Sequence, residues 1–137
     1  MYTFETQIRV RYAETDQMGY VYYGNYGAYY EVARTEALRI LGVTYKELEK
    51  QGIIMPVLEN YSKFIRPAKY DDLLLIKVFV KDFPDSRIRF EYEVYNEAEK
   101  LINLGHTTLV FISADTNKAV EMPDFLVDIL KPYFNGQ

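Results

Sequence analysis

The residues most able to do chemistry sit close together near the N-terminus. Positions 12–30, YAETDQMGYVYYGNYGAYY, hold Asp16, three glycines, Asn25 and seven tyrosines. From its last third onward, Tyr26, Tyr30, Ala33, Ala37, Ile40 and Leu41 recur at helical spacing, so the stretch leads into a helix that opens near Gly24 and Asn25. A carboxylate ahead of a helix start has two readings. It can complement the helix dipole and do nothing more, which composition alone favours. Alternatively, the unpaired amides of a helix start can hold a developing oxyanion, and an acid several residues upstream can face the same point. Gly19 and Gly24 suit positive backbone dihedrals or close backbone approach, and Asn25 is placed to cap the helix with its side chain.

Other chemistries lack their residues. With no cysteine and His106 as the single histidine, thiolate nucleophiles, disulfides, Cys-based zinc and multi-histidine metal centres are excluded. Phosphate-loop glycine motifs are absent too, so no metal, flavin or nucleotide cofactor is expected. A net charge of -4 without a local basic patch argues against nucleic acid and anionic lipid as partners. No apolar run approaches the length of a membrane span or of a signal-peptide core, so a cytoplasmic protein is expected.

The elements around the loop read as one domain over 1–137, because the length suits one core and no linker or repeat interrupts it. Residues 4–12 alternate, with Phe4, Thr6, Ile8, Val10 and Tyr12 on one face, and Ile88, Phe90, Tyr92 and Val94 alternate with charges in the same way. Segments 53–66, 72–81 and 101–113 are rich in β-branched and aromatic residues and read as three further strands. Short turns at 84–86 and 96–100 predict antiparallel neighbours. Gly42 stops the long helix, Thr44 with Glu47 predicts a capped short helix to about Gln51, and a last helix is expected over about Asp124–Phe134. One long helix against an antiparallel sheet of about five strands makes an α+β domain, with Ala33 and Ala37 permitting close wrapping.

The string RYAETDQMGYVYYGNYGAYYEVARTEALR resembles the active-site segment of the 4-hydroxybenzoyl-CoA thioesterase family, in the branch that includes the Tol-Pal-associated acyl-CoA thioesterases. YSKFIRPAKYDDLLLIKV and LGHTTLVFISADTNKAVEMP extend the likeness over nearly the whole chain. The resemblance implies a hot-dog fold and hydrolysis of acyl-CoA thioesters to free acid and CoA; the sequence itself does not choose between CoA and acyl carrier protein as the natural carrier. It implies that Asp16 is the catalytic carboxylate, either attacking the thioester carbonyl or activating water, and that the oxyanion donor is the backbone amide of Tyr23. Many members of the branch carry histidine where this chain has Tyr23, whose phenol does not exchange protons near neutral pH.

The remaining candidates divide between function and structure. Gly24, Asn25 and Tyr26 shape the helix start, and Lys63, Arg66 and Lys69 form the one cluster that could hold CoA phosphates, against the commoner reading of solvated surface. Tyr20, Tyr22, Tyr23, Tyr26, Tyr29 and Tyr30 are expected to be shared between an acyl or aryl pocket and the helix–sheet interface. Glu31 with Arg34 and Glu36 with Arg39 read as surface i,i+3 pairs, and His106 as a satisfied structural histidine. The rival functions are a non-catalytic acyl-thioester-binding protein and a hot-dog hydratase or dehydratase, which would need a histidine near the helix. Exposed sheet edges and the resemblance both point to a homodimer or homotetramer.

Overall fold

The computed structural model describes residues 1–134. Strand β1 (Tyr2–Arg9) leads through a 3-10 turn (Tyr12–Glu14) and the glycine-rich loop into helix α1 (Asn25–Arg39), followed by α2 (Tyr45–Lys50). Strands β2 (Ile53–Ile54), β3 (Val57–Phe64), β4 (Leu73–Val80), β5 (Arg87–Tyr95), β6 (Leu101–Val110) and β7 (Ile112–Ser113) come next, then α3 (Asp124–Leu130) and a 3-10 turn (Lys131–Tyr133). The five long strands form one sheet in the order β1-β4-β5-β6-β3, and β2 pairs with β7 apart from it. Every pairing is antiparallel.

Period-two alternation decides which sheet face meets α1. Leu74, Ile76, Val78 and Val80 of β4 and Ile88, Phe90, Tyr92 and Val94 of β5 are buried, while the residues between them are not. Helix α1 lays Tyr26, Tyr29, Tyr30, Ala33, Ala37 and Leu38 on that face. Tyr30 stacks flat on Tyr92, with centroids 4.2 Å apart, and lies over Gly105, where a Cβ would overlap the phenol. Small residues thus appear where helix and sheet come closest, and each large apolar side chain buried there contributes about 1.5–3 kcal/mol. This is the α+β hot-dog arrangement that the sequence leads one to expect.

Several boundaries differ from the sequence expectation. β1 ends at Arg9 and Tyr12 leaves its face, because Val10 exchanges backbone bonds with Asp71 and Asp72 instead (3.0 and 2.9 Å). Segment 53–66 is two strands, since Pro56 has no N–H to extend a ladder. Segment 101–113 divides at Phe111, whose amide donates to the Ser86 carbonyl (3.0 Å). The last helix is α only to Leu130, as Pro132 cannot donate the next helical bond.

On α1 the inward stripe is also corrected. Ile40 is 69% exposed just past the helix end, whereas Arg34 is only 5% exposed. The Arg34 Nε donates to the Tyr45 hydroxyl on α2 (3.2 Å). Burial works against the Arg34 charge, but the Tyr92 and Tyr45 hydroxyls outweigh it and raise its pKa. The expected Glu31–Arg34 pair is therefore not formed, while Glu36 and Arg39 do meet at 3.1 Å. Gly42 ends the helix at φ 88°, and the Thr44 hydroxyl accepts from the Glu47 amide (3.1 Å), both as the sequence predicts.

Candidate active site

Asp16 stands at the tip of a tight reversal. Thr15 bridges Val21, the Asp16 amide donates to the Tyr20 carbonyl (2.8 Å), and the Gly19 amide returns to the Asp16 carbonyl (3.0 Å). Gly19 closes the turn at φ 79°, a value that favours glycine. The carboxylate splits its work: Oδ1 accepts from the amides of Met18 (2.9 Å) and Tyr20 (3.2 Å), an Asx-type turn, while Oδ2 has no partner among the described residues. One oxygen fixes the loop and the other stays unpaired among the described residues.

Two anchors then set the loop against its surroundings. Tyr20 bridges Lys69, and the Val21 amide donates to Ala68 (2.8 Å), tying the reversal to the β3–β4 connection. On the other side the Glu14 carbonyl accepts from the Tyr22 amide (2.9 Å) and from Asn25 Nδ2 (2.8 Å). The Glu14 carboxylate accepts in turn from the Arg11 amide (2.9 Å), the Arg11 guanidinium (3.0 Å) and the Tyr29 hydroxyl (2.8 Å). Burial would raise the Glu14 pKa, but these donors together outweigh it and hold the carboxyl below its ordinary range. Burial and the adjoining Glu14 push Tyr29 up.

Glu14 is thus the buckle between loop and helix, and it was missed as a working residue in the sequence. The available signal was its spacing from Arg11, Asn25 and Tyr29, but those partners meet only after the chain turns back. Asn25 is corrected by the same contact. It is the first residue of α1 and donates to Glu14, while Gly24 holds the cap position without a side-chain bond. Gly24 has φ -63°, so its role is close approach: a Cβ there would lie 2.9 Å from the Tyr22 ring.

A cleft of ≈ 410 Å³ gathers Asp16, Tyr20, Tyr23, Tyr26, Phe64 and Arg66 with the neighbouring backbone of both loops. Of the sequence candidates, Asp16, Tyr23, Tyr26 and Arg66 therefore converge. Tyr23 itself is 65% exposed, packing against Tyr22 and the edge of Phe64. Burial, then the Asp72 charge, push the Tyr26 phenol up to about 12, so it stays protonated. At the start of α1 the amides of Asn25 and Tyr26 donate to the carbonyls of Tyr22 and Tyr23, while those of Tyr23 and Gly24 have no partner among the described residues. Free N–H donors at the mouth of a cleft that contains a carboxylate are suited to a carbonyl whose oxygen gains charge.

Lys63 is not brought to this cleft. It occupies the β3 position between the inward-facing Ser62 and Phe64 and pairs with Leu104, on the opposite face of the sheet. Lys69 lies in the bridge with Tyr20, its amide donating to Asp72 (2.8 Å). His106 is on the outer face as well, stacked on Tyr61 at 5.0 Å. The expectation of a satisfied histidine is corrected: Nδ1 is buried without a hydrogen-bond partner among the described residues. Among the described residues no group of three or more His, Cys, Asp and Glu side chains is placed to hold a metal.

Comparison with known proteins gives the family. Residues 10–130 match the Thioesterase-like superfamily. The chain belongs to that superfamily. It is 31% identical over 121 residues to YneP of Bacillus subtilis, covering 88% of each chain. Over 124 residues it is 28% identical to the acyl-CoA thioester hydrolase YbgC of Escherichia coli O6:H1, covering 90% of this chain and 92% of the relative. The crystal structure of a DHNA-CoA thioesterase from Staphylococcus aureus superposes with a TM-score of 0.89 at 36% identity, covering 97% of this chain and 89% of that one. By family and fold the chain is a thioester hydrolase.

Proposed function

We propose that this thioester hydrolase acts on acyl-CoA, with Asp16 as the working carboxylate and the start of α1 as the oxyanion site. The observation that carries the reading is the convergence in one cleft of the free Asp16 Oδ2 and the Tyr23 side of the helix start, where two amides lack partners. A thioester carbonyl directed at the Tyr23 and Gly24 amides exposes its carbon to Oδ2, or to a water that Oδ2 deprotonates. The developing oxyanion is held by the amides, CoA leaves as its thiol, and water supplies the oxygen of the acid product. Arg66 at the cleft rim is the cation suited to a CoA phosphate, and Lys63 would reach it only from beyond the sheet edge.

Phe64 brings β3 to the cleft, and β3 is an edge strand with Val57, Leu58, Tyr61 and Phe64 exposed. A second copy paired along β3 would satisfy the unpaired backbone groups of that edge beside the cleft, which supports a homodimer as the smallest working unit. The hydratase or dehydratase reading loses support, because His106 does not line the cleft. Release of free CoA from a panel of acyl-CoAs, followed with a thiol reagent, tests the proposal. Binding without release at any chain length would favour the non-catalytic alternative.

A further inference from the structure

Five tyrosines are buried: Tyr2, Tyr26, Tyr29, Tyr30 and Tyr92. Four of them have a partner for the hydroxyl. Tyr2 donates to the Ala37 carbonyl (2.5 Å), Tyr29 to the Glu14 carboxylate (2.8 Å) and Tyr30 to Asn103 Oδ1, while the Tyr92 oxygen lies 2.6 Å from Thr107 Oγ1. Tyr26 is the exception. It is 3% exposed, and its hydroxyl has no hydrogen-bond partner among the described residues. A buried phenol in that state gives up its bond to water and gains none from the protein, so phenylalanine would suit the fold better at this position.

Two observations place that hydroxyl. Among the described residues, only Asn103 Nδ2 and His106 Nδ1 are both sealed from solvent and unpaired, so the unpaired Tyr26 oxygen reaches open space. The open space beside Tyr26 is the ≈ 410 Å³ cleft that also holds Asp16. The ring is confined, with Tyr29 and Phe64 meeting it edge to face at 5.6 and 5.4 Å and Tyr30 tilted 6.5 Å away. Side chains on a helix lean toward its N-terminus, which carries the Tyr26 ring toward the turn where the Tyr23 and Gly24 amides are free. Burial and then the Asp72 charge push the phenol up to about 12, so near neutral pH it keeps its proton and is a donor.

The groups facing the cleft then divide by use. The two amides suit the carbonyl oxygen of the thioester, and the free Asp16 Oδ2 is the acceptor for a proton. A water poised for attack needs an acceptor for the proton it loses and a donor that fixes its oxygen, with a lone pair left for the carbon. We propose that the Tyr26 hydroxyl is a catalytic group that holds the hydrolytic water against Asp16. The inference rests on the thioesterase reading above and selects water activation as the work of Asp16. The water donates to Oδ2 and accepts from Tyr26. As its oxygen bonds to the thioester carbon its proton passes to Asp16, the C–S bond breaks, and the CoA thiolate takes that proton and leaves as the thiol. Tyr26 keeps its own proton throughout.

Tyr26→Phe deletes one oxygen and keeps the ring. The test reads kcat and KM by CoA release, the melting temperature, and the Kd of S-acetonyl-CoA, a thioether that retains a carbonyl and cannot be hydrolysed. Turnover should fall by about tenfold or more, because a nucleophile no longer held in place forfeits much of the gain from positioning. KM and the Kd should stay within about twofold of wild type, since the hydroxyl serves the water and not the bound thioester. The melting temperature should hold or rise, because the hydroxyl makes no bond in the fold. A structural tyrosine would give the other pattern, with melting temperature and activity falling together, and that result would overturn the inference. So would wild-type kcat in the folded variant, or a Kd weakened as much as kcat falls, which would make the hydroxyl a substrate contact. If wild type releases no CoA from any acyl-CoA, the thioesterase reading fails and this inference with it.

Discussion

Asp16→Asn is the sharpest perturbation of the site, because the two carboxylate oxygens have separate partners. Oδ1 accepts from the Met18 and Tyr20 amides at 2.9 and 3.2 Å, and asparagine keeps an oxygen there. The turn should survive, since Asn serves such local bonds about as well as Asp. What changes is the free Oδ2, replaced by an NH2 that can neither attack a carbonyl nor take a proton. Loss of a positioned base or nucleophile should lower kcat by about 10²-fold or more, equal to about 3 kcal/mol or more of barrier. Asp16→Ala would also remove both amide bonds, each worth about 1 kcal/mol net, and so would confound chemistry with loop order. The assay is CoA release at saturating substrate, paired with thermal unfolding. A folded Asp16→Asn protein with turnover near wild type would refute the assignment and move the carboxylate role elsewhere, with Glu31 the next to mutate.

Tyr23→Phe should keep most of the activity if only the backbone amide serves the oxyanion, whereas Tyr23→Pro removes that N–H and should cost roughly 3 kcal/mol of transition-state stabilisation; kcat/KM for both variants checks this. The Glu14 carboxyl titrates below its unfolded value, so the stability it contributes is fully present above about pH 4.3 and is lost as pH falls through the lower folded value. Melting curves across that range should show a shallower acid limb in Glu14→Gln than in wild type, and parallel limbs would contradict the buckle role. Sedimentation at micromolar protein should show a dimer or larger, and Leu58→Lys, which sets a charge on the exposed β3 edge, should shift it toward monomer. A wild-type monomer of 16.2 kDa would reject the paired edge.

What the sequence determined by itself was local or periodic. Alternation in β5 assigned Ile88, Phe90, Tyr92 and Val94 to the core, the Thr44 cap and the Gly42 stop marked their helix ends, and the Asp16 and Tyr23 segment singled out the candidate site. These signals are readable because side-chain period and capping act between residues a few positions apart. Tertiary structure decided everything that needed distant residues to meet. Arg34 could be read as a surface charge until Tyr45 and Tyr92 closed around it, and Lys63 as a partner of Arg66 until the strand pleat put it on the other face. Asn25 became a tether because Glu14 returned to its side, and the Tyr30 hydroxyl met Asn103 and Ser62 only across the helix–sheet interface. The pleat decides Lys63, and for Arg34, Asn25 and Tyr30 the reason is shared: a polar group's role is set by the partner that satisfies it once water is excluded, and that partner is chosen by the packing of helix on sheet.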